Sequence, residues 1–236
     1  MNFKEIYKDT DFLTAALNKC ELPKDLEGWL ELRKTIDFFN GTQSAASPLP
    51  LKNHPIDWEL VTSIPPDQQI RIKTSKGDIT IQLMVNDAPG SVSNFLRLIK
   101  ERGRRPHPIH GQPDAVLSRT SSQKFDEKRG VHKVIVKSVV HRVVPNFVIQ
   151  DGCPRGDGVG GPAFTIGSEL GPLHYEEGTV GMASAGKDTE GSQWFITHSP
   201  TPHLDGRYTI FGKVTAGMDV VHKIEVGDKI LGFDFL

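Results

Sequence analysis

Cysteine is nearly missing from this sequence of 236 residues, where Cys20 and Cys153 are the only two. A disulfide framework is thereby excluded as the source of stability, and a chain of this length can bury a core without covalent staples. Neither thiol has an evident histidine partner nearby, so both read as structural. Net charge is equally scarce. With 28 basic against 29 acidic residues the formal charge is −1, which leaves no global field to draw nucleic acid or an anionic membrane, and neither is an expected partner. Long apolar runs are lacking too. The first twenty residues mix acids with bases, and no later run reaches membrane-spanning length, so the sequence reads as soluble and, by default, cytoplasmic unless a longer precursor carries an export signal.

What is present falls into three stretches. Residues 1–42 read as a helical N-terminal extension of two helices. Phe12, Leu13, Ala16, Leu17 and Cys20 recur at helical spacing behind Thr10 and Asp11 as caps, and Leu26, Trp29, Leu30, Arg33 and Ile36 form a second stripe that Asn40-Gly41 stops. Residues 43–66 are rich in proline and small polar residues and read as an extended linker. Residues 67–236 read as a β-rich domain. "QIRIKTSKGDITIQLM" is an alternating hairpin, and Pro89 opens a helix whose buried stripe is Val92, Phe95, Leu96 and Ile99. Short apolar runs at 133–143, 147–150, 179–184, 193–197 and 209–214, a short helix near 217–225 and the tail "KILGFDFL" complete a pattern that suits a closed barrel or a sandwich. A basic segment at about 101–132 interrupts it and reads as a solvated insertion that projects from the domain.

Three motifs bear chemistry on their face. "GDGVGG" at 156–161 resembles a phosphate-cradling loop, but no convincing helix start follows it, so a glycine-rich turn passing near a ligand fits better. "GMASAG" at 181–186 resembles a nucleophile elbow, but Met182 stands where that turn requires glycine. His107, His110, His132 and His141 lack the cysteine or carboxylate spacing of a zinc site and read as solvated. No nucleophile, metal set or cofactor loop remains, and no cofactor is expected. One fixed cation, two amides and several apolar surfaces persist on separate short strands: Arg142, Gln150, Gln193, Phe147, Phe195 and Leu204.

"HRVVPNFVIQDG" (141–152), "GMASAG", "EGSQWFITHSPTPHLDGRYTIFGKV" (190–214) and "GDITIQLMVNDAPGSVSNFLRLI" (77–99) agree in order with the cyclophilin family of peptidyl-prolyl cis/trans isomerases, which the sequence strongly resembles over about residues 68–230. The resemblance implies a mostly β fold, an eight-stranded antiparallel β-barrel capped by two helices, with the helical extension outside it. It implies rotation about X–Pro bonds as the activity, in support of protein folding, and proline-containing peptides and partly folded proteins as partners. Motif by motif, Arg142 resembles the catalytic arginine, Phe147 and Val148 the lining of the proline pocket, and Gln150 the residue that orients the arginine. Ala183, Ser184 and Ala185 match the segment whose backbone pairs with the peptide; Met182, Gln193, Phe195, His203, Leu204 and Tyr208 match further substrate contacts. Ser184 stands where the family commonly has asparagine, which a main-chain contact tolerates. His203 replaces a tryptophan of many eukaryotic members, and the lost indole implies weak cyclosporin binding at most. Tyr208 stands where those members have histidine. A second reading is a proline-peptide-binding scaffold in which the N-terminal helices or the basic insertion hold a protein partner and turnover is incidental.

Overall fold

The computed structural model describes residues 11–21, 25–42, 54–102, 123–126, 131–134, 138–162 and 164–236. Both expected N-terminal helices form, α1 over Asp11–Leu17 and α2 over Leu26–Asn40, and Gly41 ends α2 in the left-handed conformation (φ 68°) that the Asn40-Gly41 pair foretold. Of the two expected caps of α1, Asp11 is instead its first residue, and Thr10 lies outside the described residues, as do 43–53 of the expected linker. The rest of that linker differs from expectation. Trp58–Ser63 forms a short helix, α3, capped by the Asp57 side chain, which accepts from the Leu60 amide at 2.9 Å. Leu60 and Val61 pack against the main core, and Ile64 is buried in it.

Eleven strands, rather than eight, are described, and every pairing between them is antiparallel: β1 (Gln69–Thr74), β2 (Gly77–Leu83), β3 (Gln123–Asp126), β4 (Val131–Val134), β5 (Ser138–Val139), β6 (Arg142–Val144), β7 (Val148–Asp151), β8 (Thr179–Met182), β9 (Trp194–Thr197), β10 (Ile210–Ala216) and β11 (Lys229–Phe235). The extra strands come chiefly from the insertion. Its residues 123–126 pair with 131–134, which straddle its end and the start of the apolar run at 133–143, and β4 pairs in turn with β11, so this part is a sheet extension instead of a solvated loop. The path runs β3-β4-β11-β1-β2-β10-β8-β9-β7-β6, with β5 also on β11. Only Val140 and His141 separate β5 from β6. Because β5 pairs with β11 while β6 ends the opposite side of the path, those two residues tie the sheet's far edge back to β11 and curl it on itself.

Alternation fixes what lies inside. β1 buries Ile70, Ile72 and Thr74 while its odd-numbered residues stay half-exposed, and β2 buries Ile79, Ile81 and Leu83. The helix α4 (Pro89–Arg102) closes this face with the stripe read from sequence, Val92, Phe95, Leu96 and Ile99. Phe95 meets Trp194, Phe211 and Phe233 at ring-centroid distances of 6.1, 5.1 and 6.0 Å. Burying four such side chains contributes roughly 1.5–3 kcal/mol each. The short α5 (Met218–Val221) follows β10. Among the described residues no helix is long and apolar enough to cross a membrane.

Candidate active site

β6 and β7 are joined by a tight turn over Pro145-Asn146-Phe147, in which Asn146 takes a left-handed φ of 60° and the Phe147 amide donates to the Val144 carbonyl at 3.0 Å. Asparagine tolerates that conformation better than most residues. The turn sets the register that puts Arg142 opposite Gln150, so both side chains leave the sheet on one face. Arg142 Nη1 donates to Gln150 Oε1 at 3.1 Å, Gln150 Nε2 donates to Gln193 Oε1 at 2.9 Å, and Gln193 Nε2 donates to the carbonyls of Gly158 and Gly160 at 2.9 and 3.1 Å. The two carbonyls accept only, so they fix which end of the Gln193 amide faces them. That choice fixes Gln150, and Gln150 in turn presents an acceptor to the guanidinium. The glycine-rich turn is thus the anchor of the arginine's support.

The same register row continues across the sheet. Gln150 pairs with Phe195, and Phe195 with Gly181. Beside the cation lies an apolar floor formed by Val148, Tyr175, Phe195, Leu204 and Ile210, with Phe147, Ala183 and Tyr208 packed on it. Phe195 stacks on Tyr175 (5.6 Å, 21°) and meets Tyr208 edge-on (5.9 Å, 90°), while Phe147 stacks on His203 (5.4 Å, 23°). Gly181 makes room for these rings: a Cβ there would lie 2.3 Å from Tyr175 Oη and 2.6 Å from Phe195 Cζ. Burial pushes the Tyr175 phenol above its ordinary pKa, so it stays a neutral wall, and its hydroxyl donates to the Thr209 carbonyl at 3.3 Å. Burial likewise pushes His141, next to Arg142, below its ordinary value, which keeps a second cation away from the guanidinium at neutral pH.

A cavity of about 810 Å³ opens above this floor. Arg142, Val148 and Gln150 line it from β6 and β7, Phe147 from the turn between them, Ala183, Ser184 and Ala185 from the segment after β8, Phe195 from β9, and His203, Leu204 and Tyr208 from the segment before β10. Two of the expected contacts differ. Met182 follows Gly181 by one residue, so strand alternation turns it away from the groove, and it is 1% exposed in the main core. Gln193 sits behind Gln150 rather than on the cavity wall, 3% exposed. The Ala183 and Ala185 amides are spent on the Gln193 carbonyl (3.0 Å) and the Thr189 hydroxyl (2.9 Å). Val159, Gly186 and Arg207 also line the cavity, as do Leu30, Glu31 and Lys34 of α2. Arg207 lies inside a recognised motif, whereas nothing in the N-terminal pattern ties α2 to this groove. Among the described residues there is no cluster of three or more metal-ligating side chains, and His107 and His110 lie outside them.

Residues 69–231 match the profile of the cyclophilin type peptidyl-prolyl cis-trans isomerase family. A peptidyl-prolyl cis-trans isomerase of Helicobacter pylori is 39% identical over 163 residues, which are 67% of this chain and 81% of that protein. Peptidyl-prolyl cis-trans isomerase B of Bacillus subtilis is 53% identical over 90 residues, covering 37% of this chain and 63% of the relative. A crystal structure of a cyclophilin type isomerase from Cryptosporidium parvum, solved in the presence of the dipeptide Ala-Pro, superposes with a TM-score of 0.55 at 26% identity, covering 72% of this chain and 99% of that one.

Proposed function

This chain belongs to the cyclophilin-type peptidyl-prolyl cis/trans isomerases and catalyses rotation about X–Pro peptide bonds, and we propose that it does so in the groove headed by Arg142. Amide resonance sets a barrier near ~20 kcal/mol. As the bond twists, conjugation is lost and the prolyl nitrogen regains its lone pair, becoming an acceptor it is not in either planar state. A guanidinium beside the ring donates to that nitrogen and so binds the twisted form better than the planar ones. Arginine suits the task because it is planar, permanently charged and rich in donors, so it can serve Gln150 and a substrate together.

The observation that carries this reading is the amide relay from Gly158 and Gly160 through Gln193 and Gln150 to Arg142. The arginine side chain is exposed to the groove, yet one of its donors is spent on holding it still. Phe147, Phe195 and Leu204 clamp the proline ring while the preceding carbonyl swings, and Ser184 pairs with the peptide through its backbone. Rotation makes and breaks no covalent bond, so a fixed cation and a shaped apolar pocket suffice. The substrates are proline-containing, partly folded chains, and cyclosporin binds weakly because His203 offers a smaller surface than an indole. The test is an X–Pro peptide isomerisation assay with Arg142→Ala. Turnover should fall roughly 10²–10³-fold, with substrate affinity little changed; unchanged turnover would refute the assignment.

A further inference from the structure

The helix α2 lies outside the 69–231 match, yet it borders the groove. Its N-terminal cap residue Asp25 accepts from Arg155 Nη1 at 3.0 Å, an ion pair whose side chains are 15% and 32% exposed. Gly28 comes close enough to Val159 that an added Cβ would touch it at 3.8 Å. Leu30 is buried, and Leu30, Glu31 and Lys34, three and four residues apart and so on one helix face, line the same cavity as Arg142. The helix leaves that cavity open at about 810 Å³, far more than one proline ring fills and enough for several residues of a peptide. It therefore stands beside the bound chain as a wall and does not plug the site.

The charges on this wall are unequal. Lys34, Arg142 and Arg207 border the cavity against Glu31. Glu31 and Lys34 pair with each other, Nζ to carboxylate 2.6 Å, so α2 adds no net charge to the wall; the excess is positive and lies on Arg142 and on Arg207, which has no carboxylate within ion-pairing distance among the described residues. We propose that α2 forms an added wall of the peptide groove, and that the net positive lining, Arg207 beside a balanced Glu31–Lys34 pair on α2, selects proline peptides carrying an acidic residue beside the X–Pro bond, so that reversing either charge of the pair shifts the preference. The inference rests on the Arg142 groove being the reacting site.

The test uses the full chain and three peptides that share one X–Pro pair and differ in a flanking Glu, Ala or Lys. The wild type should favour the Glu peptide over the Lys peptide in kcat/KM by roughly three- to tenfold at low salt, the range set by exposed charge pairs, mainly through KM. The ratio should shrink toward one at high ionic strength. Lys34→Glu should lower the ratio several-fold and Glu31→Lys should raise it, opposite shifts that misfolding cannot produce. Lys223→Glu, a charge reversal just beyond α5 at a residue that does not line the cavity, should leave the ratio where it was. A wild-type ratio of one, or a ratio unmoved by both helix variants, overturns the proposal. Arg142→Ala on the Ala peptide separates the two readings. If it lowers turnover while the helix variants do nothing, α2 alone is wrong; if it does nothing, the groove assignment falls and this inference with it.

Discussion

Arg142 and Gln150 face each other across β6 and β7, and the guanidinium donates to the amide oxygen at 3.1 Å. The glutamine can offer that oxygen only because Gln193 takes its NH₂ group at 2.9 Å. Gln193→Leu removes the acceptor for Gln150 and the donor to Gly158 and Gly160 at one stroke. Gln150 is then free to turn its NH₂ toward the cation. We expect kcat/KM to fall about tenfold, the factor that a loss of about 1.4 kcal/mol produces, carried by kcat with KM nearly unchanged. Peptide isomerisation rates across substrate concentration check this.

Gly181→Ala tests the floor. The new methyl would press on Tyr175 Oη and the Phe195 ring, both almost fully buried and stacked on each other, so neither can yield. The expected cost is about 1–3 kcal/mol of stability, read from chemical denaturation, together with a raised KM as Phe195 is pushed into the proline pocket.

Glu190 is fully buried, and burial pushes its carboxyl above the ordinary range against a long 3.4 Å hydrogen bond from Thr209. A raised folded-state pKa means that its stabilising contribution is complete below the unfolded value and is lost as pH rises through the folded one. Glu190→Gln should therefore raise Tm at pH 7 by on the order of 2–4 °C, and the gap should close below pH ~4.5. Burial lowers His141 and His198, so wild type and variant alike lose stability as pH falls below ~6.5, and the difference between their curves isolates Glu190.

His203→Trp restores a larger ring and an N–H donor over Phe147, which His203 already stacks against at 5.4 Å. Cyclosporin should then inhibit isomerisation at least several-fold more tightly than it inhibits the wild type. Equal inhibition of both proteins would show that the ring at this position is not what limits binding.

The site was legible because it is built from neighbours. Arg142, Phe147 and Gln150 sit within one hairpin, where a tight turn and period-two alternation decide which side chains share a face. The stripe of α4 and the β1–β2 hairpin were legible for the same local reason. Met182 was misassigned by taking a matched segment whole, although alternation after Gly181 already sends it inward. The helix α3 was hidden among prolines because six residues are too few to show a period, and what holds it is one cap and contacts of Leu60 and Val61 with a distant core. β3 had no signal of its own, and β4 only the start of the apolar run at 133–143. "VHKV" finds its place beside β11, and "QKFD" only beside "VHKV". The place of α2 at the groove depends on an ion pair between residues 130 apart in sequence, which no local pattern records.

β11 takes β1 along one edge and β4 and β5 along the other. Protein synthesis is vectorial, so the β1–β2 hairpin leaves the ribosome with its outer edge bare and waits for a partner encoded near the other end of the domain. At ordinary elongation rates that wait is on the order of ten seconds. An unpaired strand edge is an invitation to other chains, and such distant pairing also makes closure slow. A protein that helps other chains through a slow folding step thus spends its own first seconds as a nascent chain in need of protection.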